Sequence, residues 1–248
     1  MGNFSPKTAA IRSLYTTKPK AVNEITKLLS GESRVYIDYA NVRPWSQKLG
    51  WHIDPKRLKQ FLDSFDAVKE VSIYQGTLVG DVKSEAEVKE LHRLKYRVRT
   101  KDVKIMRLSI DATSVPDDST TLIRQFVRRA LLRQFDLQTV EYINGKLYEM
   151  NKRGLRYIED RKCNFDVEIG VDMLLDAHKT KAQVFCLWSG DSDFTDSVSQ
   201  LLGQGKKVIL FATTRRVSKE LSAMASQGLI IFDIAKIRNY ICWKKEIK

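Results

Sequence analysis

The 248 residues carry 43 Lys and Arg against 30 Asp and Glu, a formal net charge of +13 with a pI near 9.6. With 43% hydrophobic and 29% charged residues the chain has ordinary globular composition, which excludes wholesale disorder, and no apolar run approaches the roughly 18–20 residues of a spanning helix. There is no secretory apolar region, Pro6 stands where a myristoylation signal wants Ser or Thr, and Cys163, Cys186 and Cys242 form neither a disulfide framework nor a zinc knuckle, so a soluble, reducing, cytoplasmic setting is expected.

The basic excess is uneven. Arg93–Lys162 holds 17 basic and 9 acidic side chains, and Lys236–Lys248 holds five basic ones against Glu246. Clustered cations bind polyanions by displacing phosphate counterions, so these two segments are expected to grip nucleic acid. A merely solubilising surface is the alternative.

In chain order, residues 1–18 read as a loose basic leader and Pro19–Leu29 as a short helix ended by Gly31. The β-branched and aromatic run Arg34-Val35-Tyr36-Ile37 predicts a first strand stopping at Asp38. Asp54-Pro55 supplies an N-cap and a first-turn proline for a helix carrying Leu58, Phe61, Leu62 and Phe65. Val71–Tyr74 predicts a second strand, Ser84 caps a helix to about Tyr96, and a third strand lies within Arg97–Leu108. A helix opening at Ser119 or Thr120 is expected to stop at Asn144-Gly145, with Lys146–Met150 and Leu155–Asp160 then forming a hairpin. Asp166 opens a helix to about His178, and the apolar run Val184–Trp188 predicts a strand buried on both faces. A helix over Asp196–Leu202, a strand over Val208–Ala212, a helix around Ser218–Ala225 and a strand over Leu229–Phe232 follow. This alternation predicts a Rossmann-like α/β fold with a mostly parallel central sheet and a helical or hairpin insertion.

Ligands of such sheets bind beyond the carboxyl ends of the strands, near the point where strand order reverses. Asp38 ends the first strand, Asp191 and Asp193 follow a later central one, and Asp166 begins a helix. If the first and fourth core strands are neighbours, these acids converge, and clustered carboxylates raise one another's pKa unless a cation compensates them. All-oxygen donors select Mg²⁺ or Mn²⁺, which acidify a bound water and neutralise charge on a phosphodiester. Each aspartate taken singly also suits a helix cap or an Asx turn, and Asp172, six residues beyond Asp166, does not share its helical face.

Val35-Tyr36-Ile37-Asp38-Tyr39-Ala40-Asn41, Lys162-Cys163-Asn164-Phe165-Asp166-Val167, Asp172 and Ser189-Gly190-Asp191-Ser192-Asp193-Phe194 resemble, in that order, the NYN domain of the PIN-like nuclease superfamily, particularly its LabA-like branch. The resemblance spans roughly residues 33–235, with a basic insertion at about 109–161, a leader and short helix at 1–32, and a basic tail at 236–248. It implies a PIN-like α/β/α sandwich with a Mg²⁺- or Mn²⁺-dependent ribonuclease site. Asp38, Asp166, Asp191 and Asp193 would be the metal-centred acids, Asn41 would orient Asp38 or a phosphate, and Asp172 matches the second acid of the LabA-like helix. Lys162 stands four residues before Asp166, where the family's Lys-Gly-x-Asp pattern has three.

The expected function is therefore a metal-dependent endoribonuclease acting on single-stranded or structured RNA. Arg124, Arg128 and Lys162 are candidate phosphate contacts, and Trp45 and Trp51 could stack an unpaired base or simply pack. A non-catalytic RNA-binding module is the rival, and hydrolysis of a small nucleotide is a third choice. The amphipathic stretch 120–143 could cover its own core or a second copy in a homo-oligomer.

Overall fold

A computed structural model of the chain describes residues 3–45, 49–111, 136–213 and 216–242. The chain divides into two compact units, Met1–Asp102 with Cys163–Lys248, and Val103–Lys162. The strands are β1 (Ser33–Asp38), β2 (Val68–Thr77), β3 (Arg97–Asp102), β4 (Lys104–Ser109), β5 (Tyr157–Lys162), β6 (Val184–Trp188), β7 (Lys207–Ala212) and β8 (Ile230–Asp233). The helices are α1 (Ala9–Thr17), α2 (Pro19–Leu28), α3 (Tyr39–Val42), α4 (Pro55–Leu62), α5 (Val82–Arg93), α6 (Leu137–Lys152), α7 (Asp166–Lys179), α8 (Thr195–Gly203), α9 (Lys219–Ala223) and α10 (Arg238–Ile241).

The first unit is built on a six-stranded sheet of order β3-β2-β1-β6-β7-β8, with every neighbouring pair parallel. β1 and β6, the first and fourth strands of this sheet in sequence, pair directly, with Ser33 opposite Val184 and Ile37 opposite Trp188. Apart from the β4–β5 hairpin this is the doubly wound order, whose reversal point lies between those two strands. The reason is in the residues: β6 is buried along its whole length, so it can only be central. Alternation along β1 and β2 sends Tyr36 and Tyr74 to one face, where their hydroxyls donate to Asp176 and Asp172 of α7 at 2.8 and 2.6 Å. The opposite face is covered by helices that include α4, whose Phe61 meets Tyr240 of α10 with ring centres 5.0 Å apart.

In the second unit β4 and β5 pair antiparallel, from Lys104 opposite Lys162 to Ser109 opposite Tyr157. Asn151 on α6 ties that hairpin to the helix, donating to the carbonyls of Ile110 at 2.8 Å and Leu155 at 2.9 Å. Among the described residues no helix is long and apolar enough to cross a membrane.

Several local expectations are corrected. Asn144-Gly145 does not stop a helix, and 146–150 is no strand: α6 runs through both to Lys152, and the stop is Gly154, with φ +87°. A glycine inside a helix costs only about 1 kcal/mol, which good helix formers on either side offset. The strand expected within 97–108 is two strands, one in each unit. Asp81, not Ser84, caps α5 by accepting the Ser84 N–H at 2.8 Å, while the Ser84 hydroxyl accepts the Leu78 N–H at 3.0 Å. The leader is ordered: Thr8 caps α1, and Phe4 packs on Tyr15 and Phe65 with ring centres 4.9 and 4.8 Å apart. The start of the basic tail is core, because Ile237, Tyr240 and Ile241 are buried. The expected helix start at Ser119 or Thr120 lies outside the described residues.

Candidate functional site

The apolar run of β1 ends at Asp38, which is only 4% exposed. Its Oδ1 accepts the Asn41 N–H at 3.2 Å, capping α3, and its Oδ2 accepts the Ser189 hydroxyl at 3.2 Å. Burial pushes the Asp38 carboxyl up to about 6 despite these two bonds, and the negative charge of Asp191 adds to the rise. The Asn41 side chain is engaged elsewhere, its Oδ1 accepting the Trp45 indole N–H at 3.1 Å.

The loop after β6 supplies the second wall. Ser189 accepts the Asp191 N–H at 3.3 Å, and Asp191 in turn accepts the Asp193 N–H at 3.4 Å at the start of a short 3₁₀ turn. Gly190 is needed for close approach: a Cβ there would lie 1.7 Å from the Arg216 carbonyl oxygen, and the Gly190 carbonyl accepts the Ser218 N–H at 2.9 Å. The β6 and β7 loops are thereby clamped together beside Asp191. Asp193 is exposed.

The third wall is the first turn of α7. Asp166 has its N–H held by the Asn164 side chain at 2.7 Å, while its Oδ2 is buried with no hydrogen-bond partner among the described residues. Burial first, and then the charges of Asp38, Asp191 and Asp193, push its carboxyl up to about 6 against the Asn164 hydrogen bond. The contrast with the other acids of this helix is informative. Asp176 accepts from Tyr36 at 2.8 Å and Arg34 at 3.2 Å, and Asp172 accepts from Tyr74 at 2.6 Å and Arg99 at 2.5 Å. Asp172, Asp176 and, through Lys101 of β3, Glu168 are answered by the sheet, and Asp166 is left facing other carboxylates.

Asp172, expected beside Asp166 as a second acid of this helix, is ion-paired, its Oδ1 taken by Arg99 and its Oδ2 by Tyr74. Of the two roles open to Trp45 and Trp51, the structure gives packing: they are 1% and 3% exposed, so their rings lie in the core and present no stacking surface. Lys162 ends β5 in the second unit, and its side chain, like Arg124 and Arg128, lies outside the described residues. Sequence reasoning missed the bridging role of Ser189, the Gly190 contact, and Lys101, which ends one residue short of the β3 terminus. The Lys101 ammonium bonds Glu168 at 2.7 Å and lies 4.9 Å from the Phe165 ring centre. A Ser-Gly pair directly after an all-apolar strand was the available signal.

Among the described residues, no group of three side chains is already gathered tightly enough to hold a metal ion. The donor chemistry nonetheless fits Mg²⁺ or Mn²⁺, which keep several waters and take only one or two carboxylates. Asp38 and the bare Oδ2 of Asp166 are the pair that could hold such an ion, with Asp191 and Asp193 flanking.

The NYN domain family model matches residues 33–232. The chain is 23% identical over 208 residues to the low amplitude and bright protein LabA of Synechococcus elongatus, covering 84% of this chain and 86% of that protein. It also resembles a crystal structure of a protein of unknown function from Vibrio parahaemolyticus, with a TM-score of 0.50 at 15% identity, covering 85% of this chain and 95% of that one. The last likeness concerns the fold alone. The LabA relative agrees with the branch resembled by the motifs.

Proposed function

The chain belongs to the NYN domain family, within the PIN-like nuclease superfamily, and we propose that it is a Mg²⁺- or Mn²⁺-dependent endoribonuclease. The observation that carries this is the buried, unpartnered Oδ2 of Asp166, set in the field of Asp38, Asp191 and Asp193 at the reversal point of the sheet. Buried carboxylates crowded against one another are relieved by a divalent cation, which favours their charged form. When bound, the ion would acidify an attacking water and neutralise charge on the scissile phosphodiester.

The chain's own residues do the rest. Asn41 N–H and the Ser189 hydroxyl fix the Asp38 carboxylate, and the Ser189–Gly190 loop presents Asp191 beside it. Asp193, exposed next to this cluster, positions the water. The basic segments 93–162 and 236–248 track the RNA backbone, with Arg124, Arg128 and Lys162 as phosphate contacts. A cytoplasmic setting and a homo-oligomer belong to the same proposal.

The absence of a pre-gathered ligand triad among the described residues favours one second reading, a non-catalytic RNA-binding module. Labelled RNA incubated with Mn²⁺ or Mg²⁺, and in parallel with EDTA, separates the two. The nuclease cuts only with the ion. Salt-dependent binding with no cut under either ion makes the protein a binding module.

A further inference from the structure

On the face of the sheet opposite α7, a cavity of about 710 Å³ opens between α4, α5 and β2. That volume falls in the range of about 300–1,000 Å³ common for small-molecule sites. Its walls are apolar, with Pro55, Leu91 and Leu94 among them, and Gln75 lines it from the sheet. Gln75 is 6% exposed, and its carboxamide is oriented without ambiguity: Nε2 donates to Glu87 Oε2 at 3.1 Å, and a carboxylate can only accept. The other end of that amide, Oε1, is buried with no hydrogen-bond partner among the described residues. A buried acceptor left bare costs free energy unless a ligand brings a donor to it.

The acids of the lining are engaged within the protein. Glu87 is shared by Gln75 and Arg43, Glu90 is held by Arg93 at 2.6 Å, and Asp54 caps α4 through the Lys56 N–H at 3.0 Å. The ammonium groups of Lys56 and Lys83, both on exposed rim residues, make no ion pair among the described residues. The cavity thus wants a flat, largely apolar body that donates N–H groups inside and carries negative charge outside. Tyr39, which also lines it, is the residue next to Asp38, so its Cα stands only about 3.8 Å from that of the candidate metal ligand.

We propose that this cavity is a base-binding subsite, in which Gln75 Oε1 accepts an N–H of a nucleobase while Lys56 and Lys83 take the phosphate attached to it. The base belongs to the RNA strand whose phosphodiester reaches Asp38, so the inference rests on the ribonuclease proposal and adds the part that selects sequence. A free mononucleotide has the same chemistry and serves as the probe.

The test is calorimetric titration of the four ribonucleoside 5′-monophosphates into the full chain in EDTA, with ribose 5-phosphate as the baseless control. Two variants accompany the wild type: Gln75→Met, which removes the acceptor, and Ala86→Trp, which fills the cavity from an exposed position of α5 and leaves the core untouched. At least one monophosphate is expected to bind, to displace labelled RNA, and to weaken about tenfold or more in both variants and in the baseless control. No binding by any monophosphate, equal binding by the wild type and Ala86→Trp, or failure to displace RNA would overturn the subsite. RNA cut normally by a chain that binds no monophosphate removes the subsite alone. Monophosphate binding that depends on Gln75 and displaces RNA, in a chain that never cuts RNA, supports the subsite and removes the nuclease.

Discussion

The Ser189 hydroxyl donates to Asp38 Oδ2 at 3.2 Å, joining the end of β1 to the loop after β6 across 151 residues. The same oxygen accepts the Asp191 N–H at 3.3 Å, so one side chain sets the spacing of two candidate site acids. Its bond to Asp38 also opposes the rise in that carboxyl's pKa. Ser189→Ala is expected to cost about 1–2 kcal/mol in urea unfolding and to raise the Asp38 pKa further. The acid limb of RNA cleavage should then move to higher pH. An unmoved limb would show that Ser189 only packs.

Asp38 titrates at about 6 when folded, against an ordinary 3.8. Between those values the folded chain holds a proton that the unfolded chain releases, so stability falls as pH rises through the window and the loss is complete above it. For Asp38 alone the shift is worth at most about 3 kcal/mol. Asp166 moves in the same direction for the same reasons. Saturating Mn²⁺ should therefore raise the melting temperature at about pH 7.5, where both are ionised, and hardly at about pH 5, where both are largely protonated. An equal rise at both would place the ion elsewhere.

Asp172 and Asp166 lie on one helix and should fail differently. Asp172→Ala leaves Tyr74 and Arg99 without their shared partner and is expected to cost about 2–4 kcal/mol of stability with metal affinity unchanged. Asp166→Asn should unfold no more easily than wild type at neutral pH, since it removes a buried charge, yet lose Mn²⁺ binding when both variants are titrated calorimetrically with Mn²⁺ in the absence of chelator.

Gly190→Ala drives a Cβ into the Arg216 carbonyl, 1.7 Å away. The β7 loop must withdraw, breaking the Ser218–Gly190 bond, at an expected cost of about 2–3 kcal/mol. A variant as stable as wild type by thermal unfolding would mean that the two loops are not clamped.

The strands of the six-stranded sheet, and the places of the candidate acids at strand ends and a helix start, were legible because the signal is local. β1 reads as an apolar run halted by Asp38, and β6 as an unbroken apolar strand followed by Ser-Gly-Asp. What was not legible depends on partners distant in sequence. Nothing near Asp172 announces that Tyr74 and Arg99, 98 and 73 residues away, will occupy its carboxylate. Trp45 and Trp51 look like loop aromatics until the core closes over them. Asn144-Gly145 carries turn chemistry that the surrounding helix formers of α6 override. Gln75 carries no sequence signal, since a lone glutamine in a strand has no pattern, and its place in the cavity wall appears only in the fold.

The central claim is that Asp38 and Asp166 together form the chemical centre. Single-turnover cleavage of end-labelled RNA in Mn²⁺ by wild type, Asp38→Asn and Asp166→Asn tests it most directly. Each variant is expected to lose on the order of 100-fold or more in rate while binding RNA with an unchanged salt slope. Cleavage by either variant at the wild-type rate would contradict the account.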